Sequence, residues 1–435
     1  RLMAFAATDP LMPSDLFVAQ QDGAKELRVT RLNESWLSGR TLSAPERLTW
    51  TVADGTEVEG WLMKPVGYVP GTKYPMVLKI HGGPHSAYGN YWFDMFHVLT
   101  NAGMFVLYTN PRGSAGYGHA FEYATRGRWG QMDSEDYLMG VDAAIAANAD
   151  IDSERIGISG GSYGGFMTAW LTANTDRFAV ANPSRMISNW ESWYGASDAQ
   201  GLTDYEFGGE FWEAREVYRQ LSPLSYVENV FTPTLIIHSE NDYRTPMPDA
   251  EQWYMALKKR GVPAELVRYP RSTHDLSRTG EPWLLVDRLN RIESWFAHWL
   301  VDEKLTRTEA KERWGTANVL SLTRLRNLEY RVTASDYEPV RLKDGEYDQN
   351  ESPEARFYVF ATNSVGFGDI DGDGDRDAAI VIGSGTGGSG IFEDLVLVLN
   401  DSGTPAPLKG VFLGDRVKVE HVTVGHGEVV VDLVQ

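Results

Sequence analysis

The chain has 435 residues, more than one hydrophobic core usually sustains, so two domains are the expectation. With 42% apolar and 12% aromatic residues it is not globally disordered, and a net charge of -20 argues against nucleic acid or an anionic membrane as partner, since both reward basic patches. Cysteine is absent, which removes disulfides, a thiolate nucleophile and cysteine-ligated zinc.

In chain order, residues 1–60 hold short alternating segments (Leu2 to Ala7, Asp15 to Gln20, Leu27 to Leu32, Glu46 to Val52) separated by turn residues, a pattern of antiparallel β structure too small to close its own core. No signal peptide is read at Arg1 and no apolar run is long enough for a membrane span; a chain that starts without methionine is expected to be a processed form or a fragment. Across residues 61–300, apolar strands alternate with helical stretches: Met76 to Ile80, Phe105 to Thr109, Arg155 to Ser159, Phe178 to Ala181, Thr234 to His238 and Glu265 to Tyr269. That alternation predicts an α/β fold, a doubly wound and mostly parallel sheet covered on both faces. Residues 301–328 read as a charged helical linker, and 329–435 as a small, mostly β domain with frequent glycine.

Gly160-Gly161-Ser162-Tyr163-Gly164-Gly165 lies between the Arg155 strand and the helical stretch Phe166 to Ala173. A G-x-S-x-G at a strand-to-helix corner is a nucleophile elbow: the serine occupies a strained turn, and glycines beside it let the backbones pass. The following helix aims its N–H groups at the serine, which suits an oxyanion. Taken alone, the segment also reads as a glycine-rich turn that happens to contain serine. Two further residues in the order Ser, Asp, His narrow the choice. Asp242 follows the strand Thr234 to His238, and His274 follows the strand Ala264 to Tyr269, with an amphipathic helix from Asp249 to Lys259 between them. Glu240, Asp249 and Asp275 read as solvated loop residues or helix caps, and His81 and His238 as structural.

Lys79-Ile80-His81-Gly82-Gly83-Pro84-His85, the run Asn110 to Gly118, Gly160 to Gly165, Asp242-Tyr243-Arg244 and the late histidine resemble the catalytic domain of the prolyl oligopeptidase family, in its acylaminoacyl-peptidase and dipeptidyl aminopeptidase branch. The resemblance covers about residues 1–300 and implies an α/β-hydrolase fold preceded by a β-propeller, of which residues 1 to about 45 look like the last strands. It implies Ser162 as nucleophile, His274 as base and Asp242 as orienting acid. An oxyanion hole would come from the backbone N–H groups of Tyr163 and Gly83, and Arg244 would bind a substrate carbonyl. Ile187, Trp190 and Trp193 match the family's apolar pocket, although aromatics at that spacing also read as core. Gly195-Ala196-Ser197-Asp198 departs from the Thr-Ser-Asp that related enzymes tend to have. Arg112 reads as a brace for its own loop. No cofactor is expected for catalysis, and short peptides are the expected partners.

The last domain carries Phe367-Gly368-Asp369-Ile370-Asp371-Gly372-Asp373-Gly374-Asp375-Arg376-Asp377. Alternate carboxylates at Asp369, Asp371, Asp373 and Asp377, with a backbone carbonyl at Asp375, present hard oxygen ligands of the kind calcium takes. The stretch resembles a single FG-GAP-type calcium loop and departs from an EF-hand at Ile380; a structural calcium ion is preferred over an acidic surface turn. The glycine run Gly383 to Gly390 lacks a lysine and P-loop spacing and reads as a hairpin loop. The chain is expected to be soluble, cytoplasmic if the loop is empty and extracytoplasmic if it is loaded. The expectation is a serine peptidase releasing acylaminoacyl or dipeptidyl units from short peptides. An esterase on the same triad, and an impaired scaffold with a calcium-dependent binding domain, stand as the alternatives.

Overall fold

The structure, a computed structural model, describes residues 1–315, 320–350, 356–373, 376–386, 390–401, 403–425 and 427–434. The chain divides into two compact units, Arg1–Lys311 and Glu312–Gln435. Among the described residues no helix is long and apolar enough to cross a membrane.

The first unit is built on an eight-stranded sheet. Its strands are β1 (Pro45–Thr51), β2 (Glu57–Met63), β3 (Tyr74–Ile80), β4 (Phe105–Asn110), β5 (Ile151–Gly161), β6 (Val180–Ser184), β7 (Thr234–Ser239) and β8 (Ala264–Tyr269), in the spatial order β1-β2-β4-β3-β5-β6-β7-β8. From β4 to β8 every neighbouring pair is parallel, and β1 and β2 join antiparallel at one edge. Every residue of β4 and of β7 is buried. Continuous apolar strands of this kind require helices on both faces of the sheet. This is the α/β-hydrolase fold.

The sequence reading groups Glu46 to Val52 with the N-terminal segments, whereas the structure makes Pro45–Thr51 the edge of the main sheet, in register Leu48↔Gly60 with β2. Packing explains the difference. Trp50, Val52 and Val58 form a small buried cluster against Met139 and Ala143 of helix α2 (Met132–Ala147), where a Cβ on Gly140 would lie 2.8 Å from the Trp50 ring. Only Leu2–Asp9, Met12–Gln20 and Leu27–Arg28 form a separate three-stranded antiparallel sheet. It is tied to the hydrolase part where His97, in helix α1 (Asp94–Asn101), meets the Pro10 carbonyl at 2.7 Å.

The site is set by loops at the carboxyl ends of the central strands. Helix α3 (Tyr163–Asn174) starts directly after β5, and its residues Tyr163 to Ala173 are all buried. Helices α4 (Trp190–Ala196), α5 (Gly201–Glu206) and α6 (Phe211–Gln220) fill the connection from β6 to β7. Helix α7 (Met247–Lys259) joins β7 to β8, and α8 (Pro282–Phe296) follows the loop after β8.

In the second unit Glu346–Asn350, Arg356–Gly368, Asp377–Gly385, Phe392–Asp401 and Thr404–Pro407 lie side by side, each antiparallel to the next, and Val411–Asp415 also pairs with Phe392–Asp401. The stretch 301–328, read as a linker, is only partly that. Leu320 and Leu325 are fully buried with Tyr330, Ile380 and Val398 in the core of this unit, because short strands alone bury too little apolar surface. The glycine run joins two antiparallel strands paired Ser384↔Phe392, so Gly383 to Gly385 belong to a strand rather than to the loop; residues 387–389 lie outside the described residues.

Candidate active site

Ser162 sits at the corner between β5 and α3 with φ +63° and ψ -125°, a left-handed conformation that is rare for a residue with a side chain. The corner is held from both sides. The Ser162 amide donates to the carbonyls of Ser184 and Arg185 at the end of β6, and its own carbonyl accepts from Gly165 and Phe166 in the first turn of α3. A Cβ on Gly160 would lie 2.4 Å from the Gly164 carbonyl oxygen, and one on Gly164 would lie 2.4 Å from that of Ile80. Glycine is therefore required at both positions by backbone, not by a movable side chain. The Tyr163 hydroxyl donates to the buried Asp133 at 2.6 Å, which anchors the first residue of α3.

His274 Nε2 lies 3.0 Å from Ser162 Oγ, and its Nδ1 lies 3.0 and 2.8 Å from the two oxygens of Asp242. Asp242 is buried and also accepts from the Arg244 and Thr245 amides at 3.0 and 2.9 Å and from the Thr245 hydroxyl at 2.9 Å. Burial pushes the Asp242 carboxyl up, but the hydrogen bond from His274, the imidazole's charge and the Thr245 amide together outweigh it, so the group sits below its ordinary value. A hydroxyl, an imidazole and an ionised carboxylate linked in this order can deprotonate the hydroxyl as it attacks a carbonyl.

Tyr163 is the first residue of α3, so its amide has no acceptor within the helix. The strand end at Gly82 runs beside the serine: a Cβ there would lie 3.4 Å from Ser162 Cβ and 4.0 Å from its Oγ. Gly83 follows at φ +130°, a conformation that favours glycine. Arg244 is half-exposed; its Nε donates to Asp198 Oδ1 at 2.6 Å, and its carbonyl accepts from Trp193 Nε1 and Ser197 Oγ, each at 2.8 Å. The divergent segment Gly195 to Asp198 thus fastens the loop that carries Asp242.

Three residues read as a pocket wall are corrected. Ile187, Trp190 and Trp193 are 4%, 0% and 1% exposed and belong to the aromatic core, with the Trp190 ring 5.0 Å from Phe207 and 5.3 Å from Phe166. A side chain closed on all sides offers a ligand no surface. Asp249, read as a solvated loop residue or a helix cap, lies in the first turn of α7 and is buried; one of its oxygens accepts from the Ser188 and Asn189 amides at 2.9 Å each, and burial pushes its carboxyl up to about 7. Arg112 braces its loop as read, binding Asp136 and Asp54, and His238 is buried against the Thr245 carbonyl at 2.6 Å. Thr245 and Arg185 were missed: an ordinary hydroxyl in a loop and an arginine after a buried strand carry no motif. The Arg185 guanidinium donates to the His274 carbonyl at 2.7 Å and occupies the space a Cβ on Gly161 would need.

In the second unit Asp369, Asp371 and Asp373 are exposed, with carboxylate oxygens that lie within 4.8 Å of one another. Desolvation and the charges of Asp373 and Asp377 hold the Asp371 carboxyl above its ordinary value. Asp377 is not part of this group. It is buried, and its two oxygens accept from the Ile370 and Asn400 amides at 2.7 and 2.9 Å, closing the loop onto the sheet. Asp375 lies outside the described residues.

Comparison with known proteins gives three kinds of likeness. A sequence model of the prolyl oligopeptidase family matches residues 91–303. A Bacillus subtilis (strain 168) protein described as uncharacterized peptidase YuxL is 45% identical over 292 residues, covering 67% of this chain and 44% of that protein. Dipeptidyl-peptidase 5 of Porphyromonas gingivalis is 32% identical over 270 residues, covering 60% and 39%. Among solved structures, Pyrococcus horikoshii acylaminoacyl peptidase aligns with a TM-score of 0.65 at 29% identity, covering 70% of this chain and 48% of that one. The chain thus spans less than half the length of these relatives.

Proposed function

Because the chain belongs to the prolyl oligopeptidase family through residues 91–303, we propose that it is a serine peptidase that releases acylaminoacyl or dipeptidyl units from short peptides. The observation that carries this reading is the continuous hydrogen-bonded line from Ser162 Oγ through His274 to Asp242. Ser162 Oγ attacks the scissile carbonyl while His274 Nε2 takes its proton; the C–N bond then breaks as His274 returns the proton to the leaving amine. Water repeats the cycle on the acyl-enzyme. Asp242 holds the imidazole with its Nδ1 proton inward and stabilises the imidazolium. The Tyr163 and Gly83 amides receive the oxyanion, each such donor being worth about 3 to 4 kcal/mol in the transition state. Arg244 holds a substrate carbonyl at the loop beside Asp242. The dipeptidyl and acylaminoacyl names of the relatives support the choice of substrate class.

The test is covalent labelling by a fluorophosphonate probe, followed by turnover of acyl-aminoacyl and dipeptidyl anilides. Labelling is expected in the native chain and absent in Ser162→Ala; a native chain that stays unlabelled defeats the hydrolase reading. Turnover of short-chain esters with none of the anilides would replace peptidase by esterase.

For the Asp-rich loop we propose a calcium ion held by Asp369, Asp371 and Asp373, with Asp377 shaping the loop instead of binding. Calcium is expected to raise the unfolding temperature of the full chain and a chelator to reverse it. Asp371→Asn is expected to remove that response, and an unchanged response in the variant counts against the site.

A further inference from the structure

Behind the elbow, on the face of the sheet covered by α1 and α8, lies a cavity of about 490 Å³. It is lined by the strand ends Lys79 and Ser159 and by Arg185 and Arg288, and it reaches Gly82 and Gly161 beside the nucleophile. Two buried basic side chains, Arg288 and Lys79, and the part-buried Arg185 face it. Arg288 is 7% exposed and Lys79 is 8% exposed. Among the described residues neither has a carboxylate oxygen within 4.0 Å, and Arg185 has none either. Lys79 Nζ finds only the neutral Ser159 hydroxyl, at 2.6 Å, which in turn donates to Asn182. Arg288 Nε is buried with no hydrogen-bond partner.

An unpaired charge in such a place is costly even after relaxation. Lysine can escape by losing its proton, and burial together with the nearby Arg288 and Arg185 lowers Lys79 to about 7. Arginine has no such escape, because its guanidinium stays protonated in proteins. Asp94, the carboxylate on the wall, accepts from the Met95 amide at 2.7 Å and attracts Arg288 and Lys79 only from beyond ion-pair distance. The cavity therefore has donors and positive charge in excess, and room for a guest that supplies acceptors and negative charge.

We propose that this cavity is a binding site for a small oxyanion of the carboxylate or phosphate class, held by Arg288 and Lys79. Occupancy reaches the triad loop through Arg185, which borders the cavity and donates to the His274 carbonyl. The guest comes either from solution or as the free carboxylate of a peptide, and the two sources present the same chemistry.

The experiment is thermal unfolding of the full chain at constant ionic strength, with acetate or phosphate replacing chloride, and in a second arm with a short peptide as its free acid or as its amide, using Ser162→Ala to prevent turnover. A saturable upward shift of several degrees is expected with acetate or phosphate if the guest is a free ion, or with the peptide acid and not its amide if the guest is a peptide carboxylate. Both Arg288→Met and Lys79→Met are expected to abolish it, and Arg288→Met is expected to unfold at a higher temperature than the native chain in chloride. If Arg288→Met does not fold, Lys79→Met decides. The proposal is overturned if neither the ions nor the peptide acid shifts the native chain beyond the chloride control, or if the shift survives the substitutions.

Discussion

At the scale of single residues, the triad is buried unevenly, and that sets what each substitution should do. Asp242 is closed off and accepts from four donors, so Asp242→Asn keeps the shape but reverses one hydrogen-bond direction and frees the imidazole to take the wrong tautomer. Turnover is expected to fall on the order of 10⁴-fold with the fold intact by circular dichroism. Thr245→Val removes the hydroxyl that donates to Asp242 but leaves the Thr245 amide in place. A hydrogen bond to a charged group is worth about 1.5 to 3 kcal/mol, so kcat is expected to drop roughly tenfold or more while KM stays near its native value. Asp249 behaves in the opposite sense. Its folded carboxyl titrates at about 7, above the unfolded value of 3.8, so its contribution to stability is fully present below the unfolded value and is lost as pH rises through about 7. Asp249→Asn retains an oxygen acceptor for the Ser188 and Asn189 amides and cannot ionise. Denaturant titrations at pH 5 and pH 8 are expected to show the native chain losing stability across that interval by more than the variant, with the variant the more stable at pH 8.

At the scale of elements, the elbow is a junction where β3, β5 and α3 meet backbone to backbone. Because the atoms that a Cβ on Gly160 or Gly164 would strike are carbonyl oxygens of Gly164 and Ile80, relief requires moving a strand or the first turn of α3. Gly164→Ala is expected to cost about 1 to 3 kcal/mol or more and to misplace the Tyr163 amide, so that fluorophosphonate labelling slows even in chain that remains folded. Labelling at the native rate by a stable Gly164→Ala variant would show that the corner tolerates a methyl group. The chain order of the strands and the loops after β5, β7 and β8 were legible in the sequence, since buried strands and glycine turns are local signals. The pairing of Pro45–Thr51 with Glu57–Met63 was not, because a short alternating strand carries no mark of which neighbour it will join. The aromatic run from Ile187 to Trp193 was ambiguous for a similar reason: periodicity shows that a face is apolar, and only packing shows whether that face meets a ligand or Phe166 and Phe207.

At the scale of the molecule, two separate apolar cores, one around Trp129, Phe166 and Trp190 and the other around Tyr330, Ile380 and Val398, predict two unfolding transitions in calorimetry. Calcium is expected to move one of them, and a small oxyanion the other. A single cooperative transition that both ligands shift together would contradict independent cores. The strand-like N-terminal residues form their own small sheet, which leaves Leu2, Leu27 and Leu32 exposed. No local pattern separates such a sheet from strands that enter the main one.

The sequence by itself marked the candidate site: a serine between glycines at a strand end, followed in order by an aspartate and a histidine after later strands, is written in adjacent residues and spacing. It also determined that the sheet is mostly parallel, since that follows from alternation along the chain. The tertiary structure decided what depends on contacts between distant segments. It placed Thr245 on Asp242, took Asp377 out of the carboxylate cluster by giving both its oxygens to backbone amides, and closed Trp190 and Trp193 into the core. It also brought Lys79, Arg185 and Arg288 from three separate elements to one cavity. Charge and burial are properties of a neighbourhood, and the fold assembles that neighbourhood from residues that are far apart in the chain.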